Sequence, residues 1–218
     1  MSEWLTWQVV DSAFPTGLFA HSWGLESAWQ HGEVDSPQAL RAFVDASILQ
    51  AGHGVLPLLN AAFHDSEALE ALDSLAEAFL TNAVANRASR IQGRTLLATA
   101  SRVWASAALT ALMARADATH AHVAPLSGAT FRALGLPLKT VQMIVLYGTA
   151  RGVLSAAVRL GIVGGFEAQQ LQSACGPRLE EVAGLCAGLG LDDLAQTAPV
   201  IDLVQAGHDR LYSRLFQS

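Results

Sequence analysis

Paired cysteines, runs of basic residues and strand-like alternation are all missing from this chain, and each absence removes a class of function. Its two cysteines, Cys175 and Cys186, fall outside any Cys-x-x-Cys pattern. That removes a disulfide framework and a thiolate metal knuckle, and it suits a reducing compartment. Thirteen Lys and Arg stand scattered against nineteen Asp and Glu, for a net charge of −6. Nucleic-acid binders concentrate their cations on one face, so a phosphate-backbone partner is not expected. Neither a Gly-x4-Gly-Lys-Ser/Thr loop nor a Gly-x-Gly-x-x-Gly turn after a strand occurs, so a nucleotide, if one matters, belongs to a partner. The opening Met1-Ser2-Glu3-Trp4 has no basic segment leading into an apolar one, as a secretion signal would. The longest charge-free stretch, Ala46 to His64, carries Gln50, Gly52-His53-Gly54, Pro57 and Asn60. It reads as too polar and too broken for a span of about 20 apolar residues. The expectation is a soluble, cytoplasmic protein.

Charged residues make up only 15% of the chain, hydrophobic ones 51%, and the mean hydropathy is +0.32. So little charge leaves apolar surface available for protein partners. A chain of 218 residues can bury enough of itself to need no staple, and the apolar spacing is helical almost throughout. Ser36-Pro37 reads as an N-cap followed by proline at the first helical position, with Leu40, Phe43, Val44, Ser47, Ile48 and Ala51 on one face. A helix after Asp65-Ser66 should turn Leu69, Leu72, Leu75, Ala76 and Phe79 inward. Asn82 to Ala114 carries one long helical pattern, bent near Gly93. The helix opening at Pro137 is apolar all round from Met143 to Tyr147, as central bundle helices are, and Gly148 and Gly152 invite close packing. Pro199 opens a last helix with Val200, Val204, His208, Leu211 and Leu215 along a stripe. The reading is all-α, a single-domain helical bundle over residues 1–218.

Three places could carry chemistry. Asp11-Ser12-Ala13-Phe14-Pro15-Thr16-Gly17 and His21-Ser22-Trp23-Gly24-Leu25-Glu26 hold an acid, a base and hydroxyls. A nucleophilic reading would take Ser22 or Thr16 with His21 and Asp11. Side chains this close in sequence rarely meet in proton-transfer geometry, and no Gly-x-Ser-x-Gly elbow is present. A shaped loop, with Ser22 capping the next helix, is the favoured reading. His120-Ala121-His122 offers two imidazoles with only Asp117 as a nearby third ligand, so a polar loop ending before Pro125 is preferred over a metal site. Arg87, Arg90 and Arg94 share one helix face. They read as a solvated face, as a surface for an acidic partner, or as a source of an arginine inserted into a partner's nucleotide site.

Several blocks, taken together and in order, resemble the UreF family of urease accessory proteins. They are Asp11-Ser12 with Phe14-Pro15-Thr16-Gly17, Phe19-Ala20-His21-Ser22 with Gly24-Leu25-Glu26, and Asn86-Arg87-Ala88-Ser89 with Gln92-Gly93. His122 with Pro125 and Gly128, Ser155 to Gly161, and Asp202 and His208 with Leu211-Tyr212-Ser213-Arg214-Leu215-Phe216 complete the set. The resemblance implies an all-helical protein without a catalytic site or cofactor. It also implies a homodimer that binds the accessory protein UreD (also called UreH) and recruits the GTPase UreG for nickel delivery to apo-urease. An alternative makes the chain a regulator of that partner's GTP hydrolysis. By the same resemblance the partner-binding residues would be His21, Ser22, Gly24, Glu26, Arg87, Arg90, Gln92, Tyr212 and Arg214.

Overall fold

The computed structural model describes residues 3–15 and 20–218. Thr16, weighed above as a nucleophile, and Gly17 and Phe19 of the opening block lie outside the described residues. The described residues form helices and connecting turns, with no strand among them. In chain order the helices are α1 (Glu3–Val10), α2 (Leu25–Gln30), α3 (Pro37–Gly54), α4 (Leu56–His64), α5 (Leu69–Phe79) and α6 (Ala83–Val103). They continue with α7 (Ala107–Ala116), α8 (Val123–Ala133), α9 (Leu138–Arg159), α10 (Gly165–Ala174), α11 (Gly176–Cys186) and α12 (Pro199–Ala206). The all-helical expectation is met.

Local chemistry starts these helices where the sequence places the signals. Ser36 Oγ accepts from the Ala39 amide and Pro37 takes the first helical position, so α3 begins as read and buries Leu40, Phe43, Val44, Ser47, Ile48 and Ala51. Asn82 caps α6, its side chain accepting from Val84 and Ala85. Four expectations are corrected. The long pattern from Asn82 is two helices, because Ser106 caps a new one after a break at Trp104. Gly93 marks a contact: a Cβ there would stand 2.1 Å from the Ala121 carbonyl oxygen. The helix predicted after Pro199 ends at Ala206, and the chain beyond the short turn His208–Arg210 runs as an irregular tail. Leu75 faces solvent, and Asp73 takes a place on the inward stripe of α5.

The central helix is α8, and the apolar run of α9 is not. Every residue from Ala124 to Phe131 is buried, where α8 lies between α4 and α6. Its small side chains (Ala124, Ser127, Gly128, Ala129) let neighbours approach from all sides, a property that hydropathy does not register. Met143 and Tyr147 of α9 are exposed instead. Gly152 does support a close contact, with the Trp23 indole, whereas a Cβ on Gly148 would meet nothing. Two helical stretches, Pro37–His64 and Leu138–Arg159, are long and apolar enough to cross a membrane by length and composition. The first is divided at Val55 into α3 and α4, and 61% and 50% of the two windows are buried against other helices. The largest core cluster runs from Val9 of α1 to Phe216 in the tail.

Candidate functional site: a buried clasp on the C-terminal tail

The opening block and the tail, almost the whole chain apart, are joined by hydrogen bonds. Trp23 and Gly24 both adopt positive φ, at 60° and 86°, and turn the chain sharply into α2. Glycine suits position 24 twice over, since a Cβ would also stand 3.0 Å from Gln205 Cβ of α12. This turn puts Glu26 in the first turn of α2 with its carboxylate inside the protein. Glu26 Oε1 accepts from the Leu215 amide at 2.6 Å. Its Oε2 accepts from the Phe216 amide at 3.1 Å and stands 3.0 Å from His208 Nε2. The Ser22 amide and hydroxyl both donate to the Ser218 carbonyl, at 2.6 and 2.8 Å. His21 Nδ1 lies 2.6 Å from Ser218 Oγ, and the Gln217 amide donates to the Ala20 carbonyl at 2.9 Å. Ser22 was expected to cap α2; its side chain holds the tail instead, and α2 has no side-chain cap. The nucleophilic arrangement does not form either: His21 and Ser22 both engage Ser218, while the Asp11 carboxylate accepts from the Ala13 amide at 2.7 Å.

The clasp leaves two polar atoms without partners among the described residues, His21 Nε2 and His208 Nδ1. Burial, with the nearby Arg87 and His208 adding to it, lowers the His21 pKa from 6.5 to about 4. On the outer side, Asp209 accepts from Arg87 Nη2 at 2.9 Å and from Arg214 Nη1 at 3.1 Å. The Arg87 hydrogen bonds hold its carboxyl below the ordinary carboxylate range. The Arg159 guanidinium covers the buried Phe216 ring at 4.2 Å. Tyr212 stands fully exposed, at 105% of its reference area.

The nine residues singled out in sequence therefore divide. His21, Ser22 and Glu26 are buried and grip the tail, and the buried Gly24 packs against Gln205 of α12. Gln92 is buried on the opposite side of α6 from the arginines and lines an internal cavity. Tyr212 and Arg214 are exposed on the clasped tail. Arg87 and Arg90 line a groove of about 730 Å³ together with Arg94 and Ile91. Arg90 and Arg94 have no carboxylate partner among the described residues.

Sequence reasoning missed a second polar centre. Asp73, buried in α5, accepts from the amides of His120 and His122, both at 2.7 Å. His122, itself fully buried, places Nε2 2.8 Å from Glu77 Oε2 and Nδ1 3.0 Å from Ser89 Oγ. Ser89 Oγ also accepts from the Val123 amide, so its hydrogen is free to point at Nδ1. Hydrogen bonds from Asn86 first, then from His122, lower the Glu77 pKa. With both ring nitrogens of His122 engaged, the His-Ala-His motif serves as a helix-entry anchor, and α8 starts at Val123, so the loop ends before Pro125 as read. Among the described residues, no group of three or more His, Cys, Asp or Glu side chains is arranged to hold a metal ion. The available signal was Asp73, an acid set on the inward stripe between Leu72 and Ala76.

Comparison with known proteins places this architecture. The chain is 36% identical to Urease accessory protein F of Arabidopsis thaliana over 222 residues, 99% of this chain and 92% of that protein. It is 35% identical to Urease accessory protein F of Oryza sativa subsp. indica over 221 residues, 99% of this chain and 85% of the rice protein. Urease accessory protein UreF of Trichodesmium erythraeum matches at 32% over 221 residues, 96% of this chain and 94% of that one. The UreF family profile matches residues 34–176, which hold the buried His122 centre and the arginine face of α6. The chain belongs to the UreF family of urease accessory proteins.

Proposed function

We propose that this chain is a non-catalytic adaptor in urease maturation. It dimerises in the cytoplasm, binds UreD (UreH), and with it recruits the GTPase UreG so that nickel, the cargo, reaches apo-urease. The observation that carries this reading is the clasped tail, which holds the fully exposed Tyr212 and the rim cation Arg214 on a backbone fixed from beneath. An aromatic ring presented in water on a fixed backbone loses little freedom on docking, and Tyr and Arg are favoured anchors of protein interfaces. His21, Ser22, Gly24 and Glu26 contribute to docking by positioning that tail, and the core running from Val9 to Phe216 makes the chain act as one unit. Exposed Val200 and Leu203 of α12 extend the apolar surface beside it. Co-elution of the chain with UreD at micromolar concentration tests the reading. Tyr212→Ala should lower the affinity by roughly 30-fold, about 2 kcal/mol, while leaving unfolding unchanged. Co-elution of the variant at wild-type affinity would count against the tail as the docking element.

Arg90 and Arg94 favour a second reading, in which this groove meets an acidic face of the GTPase and alters its GTP turnover. Two guanidiniums without carboxylate partners are available to a partner's anion at no cost in broken ion pairs. Unchanged partner turnover with both Arg90→Ala and Arg94→Ala would remove it.

A further inference from the structure

An apolar cavity of about 200 Å³ lies among α3, α6, α8, α9 and α12, and a second of about 140 Å³ adjoins it. They share Trp23, Gln50, Gln92, Asp202 and Gln205. Elsewhere the wall of the larger one is mainly apolar, with Val55, Leu96, Phe131, Ile144 and Ile201, and Arg151 and Tyr147 also line it. Gln92 is 3% exposed and Gln205 8%, yet neither side-chain amide bonds any described residue. The Asp202 carboxylate is also without a partner there; only its main-chain carbonyl is engaged, by Asn82 Nδ2 at 2.9 Å. The buried Trp23 Nε1 has none either.

Each primary amide brings two donors and an acceptor with two lone pairs. A buried polar group left unpaired is unfavourable, and Trp23 Nε1 is one here. Two amides, an indole N–H and a carboxylate lining both parts of a mainly apolar chamber have the composition of a small-molecule site, apolar walls with a few polar groups. A dry cavity of about 150 Å³ accommodates benzene, so the larger chamber takes a single ring. Two charged side chains line the larger cavity: Arg151, which donates to the Val10 carbonyl at 3.0 Å, and Asp202. Asp202 is the only formal charge among the residues lining both cavities; a cationic head fits there, where the amides offer carbonyl acceptors to it. Burial raises the Asp202 pKa, and a cation beside it would offset that desolvation.

We propose that this chamber binds a small organic cation, a single-ring or branched-alkyl body with an ammonium or amidinium head held by Asp202, Gln92 and Gln205. The ligand groups Asp202, Gln92 and Gln205 lie off the displayed face of the tail and off the arginine groove; of the two cavities, His21 and Ser218 of the clasp line only the adjoining smaller one. Benzylammonium, toluene and benzoate, titrated separately into the full chain and followed by calorimetry and thermal unfolding, test it. Benzylammonium should bind about tenfold more tightly than toluene, and benzoate not measurably. Asp202→Asn should abolish that preference while toluene still binds, which shows the chamber intact. If the variant loses toluene as well, Gln205→Leu replaces it and should weaken benzylammonium more than toluene. Binding of none of the three, with ordered water only in the chamber, overturns the proposal. So does equal binding of benzylammonium with toluene or benzoate, or a preference that survives the substitutions.

Discussion

The two buried polar centres, one around His122 and one around Glu26, solve the same problem to different degrees. Each has a buried carboxylate accepting from two main-chain amides, and each has a fully buried histidine beside an acid. Around His122 no buried side-chain nitrogen or oxygen goes without a partner among the described residues, and the groups joined belong to α5, α6 and the entry to α8. Around Glu26 two imidazole nitrogens go without, and one of the joined parts is a tail with little helix of its own. A satisfied network in a low-dielectric interior fixes one arrangement of helices, whereas a partly satisfied one is where opening costs least. The difference teaches a division of labour: the first centre sets the scaffold, and the second holds a displayed segment.

Substitutions should separate the two centres by size and reach. Asp73→Ala would orphan the amides of His120 and His122 at the mouth of α8 and should destabilise the whole chain by about 4 kcal/mol. Its denaturant midpoint should fall in one cooperative transition; a loss confined to α8 in hydrogen exchange would break the comparison. Glu26→Ala would orphan the Leu215 and Phe216 amides and His208 Nε2, at about 3 kcal/mol. Hydrogen exchange should speed up locally over 208–218 while α8 stays protected. Loss of protection throughout would make the clasp part of the scaffold.

Much of the bundle was legible because helix signals are local. The Ser36-Pro37 cap, the inward face of α3 and the start of α9 depend on neighbours within a turn or two. What could not be read depends on distant partners. The central position of α8 comes from small residues that only neighbouring helices make meaningful, and the burial of Asp73 follows from amides almost fifty residues away. The site was half legible. Resemblance picked out His21, Ser22, Gly24 and Glu26, yet that they face inward follows from the tail folding back over them, and no spacing in the opening block encodes that return.

The smallest expected effect is also the most selective, because it rests on one residue of the clasp, His21, whose pKa burial lowers. His21 falls from 6.5 to about 4 on burial. The unfolded or released segment therefore takes up a proton that the clasped one refuses. Above pH 6.5 the two states are equally deprotonated and His21 contributes no pH dependence. Below it, stability of the clasp is lost progressively as pH falls toward 4, amounting to about 2 kcal/mol at pH 5 relative to pH 8. Protection of the Ser22 and Gln217 amides, followed by hydrogen exchange and corrected for the intrinsic pH dependence of exchange, should decline over that window. His21→Asn should flatten the decline and leave the exposed Arg87–Asp209–Arg214 contacts in place. A decline of equal size in the variant would assign the titration to another group and take pH out of the comparison between the two centres.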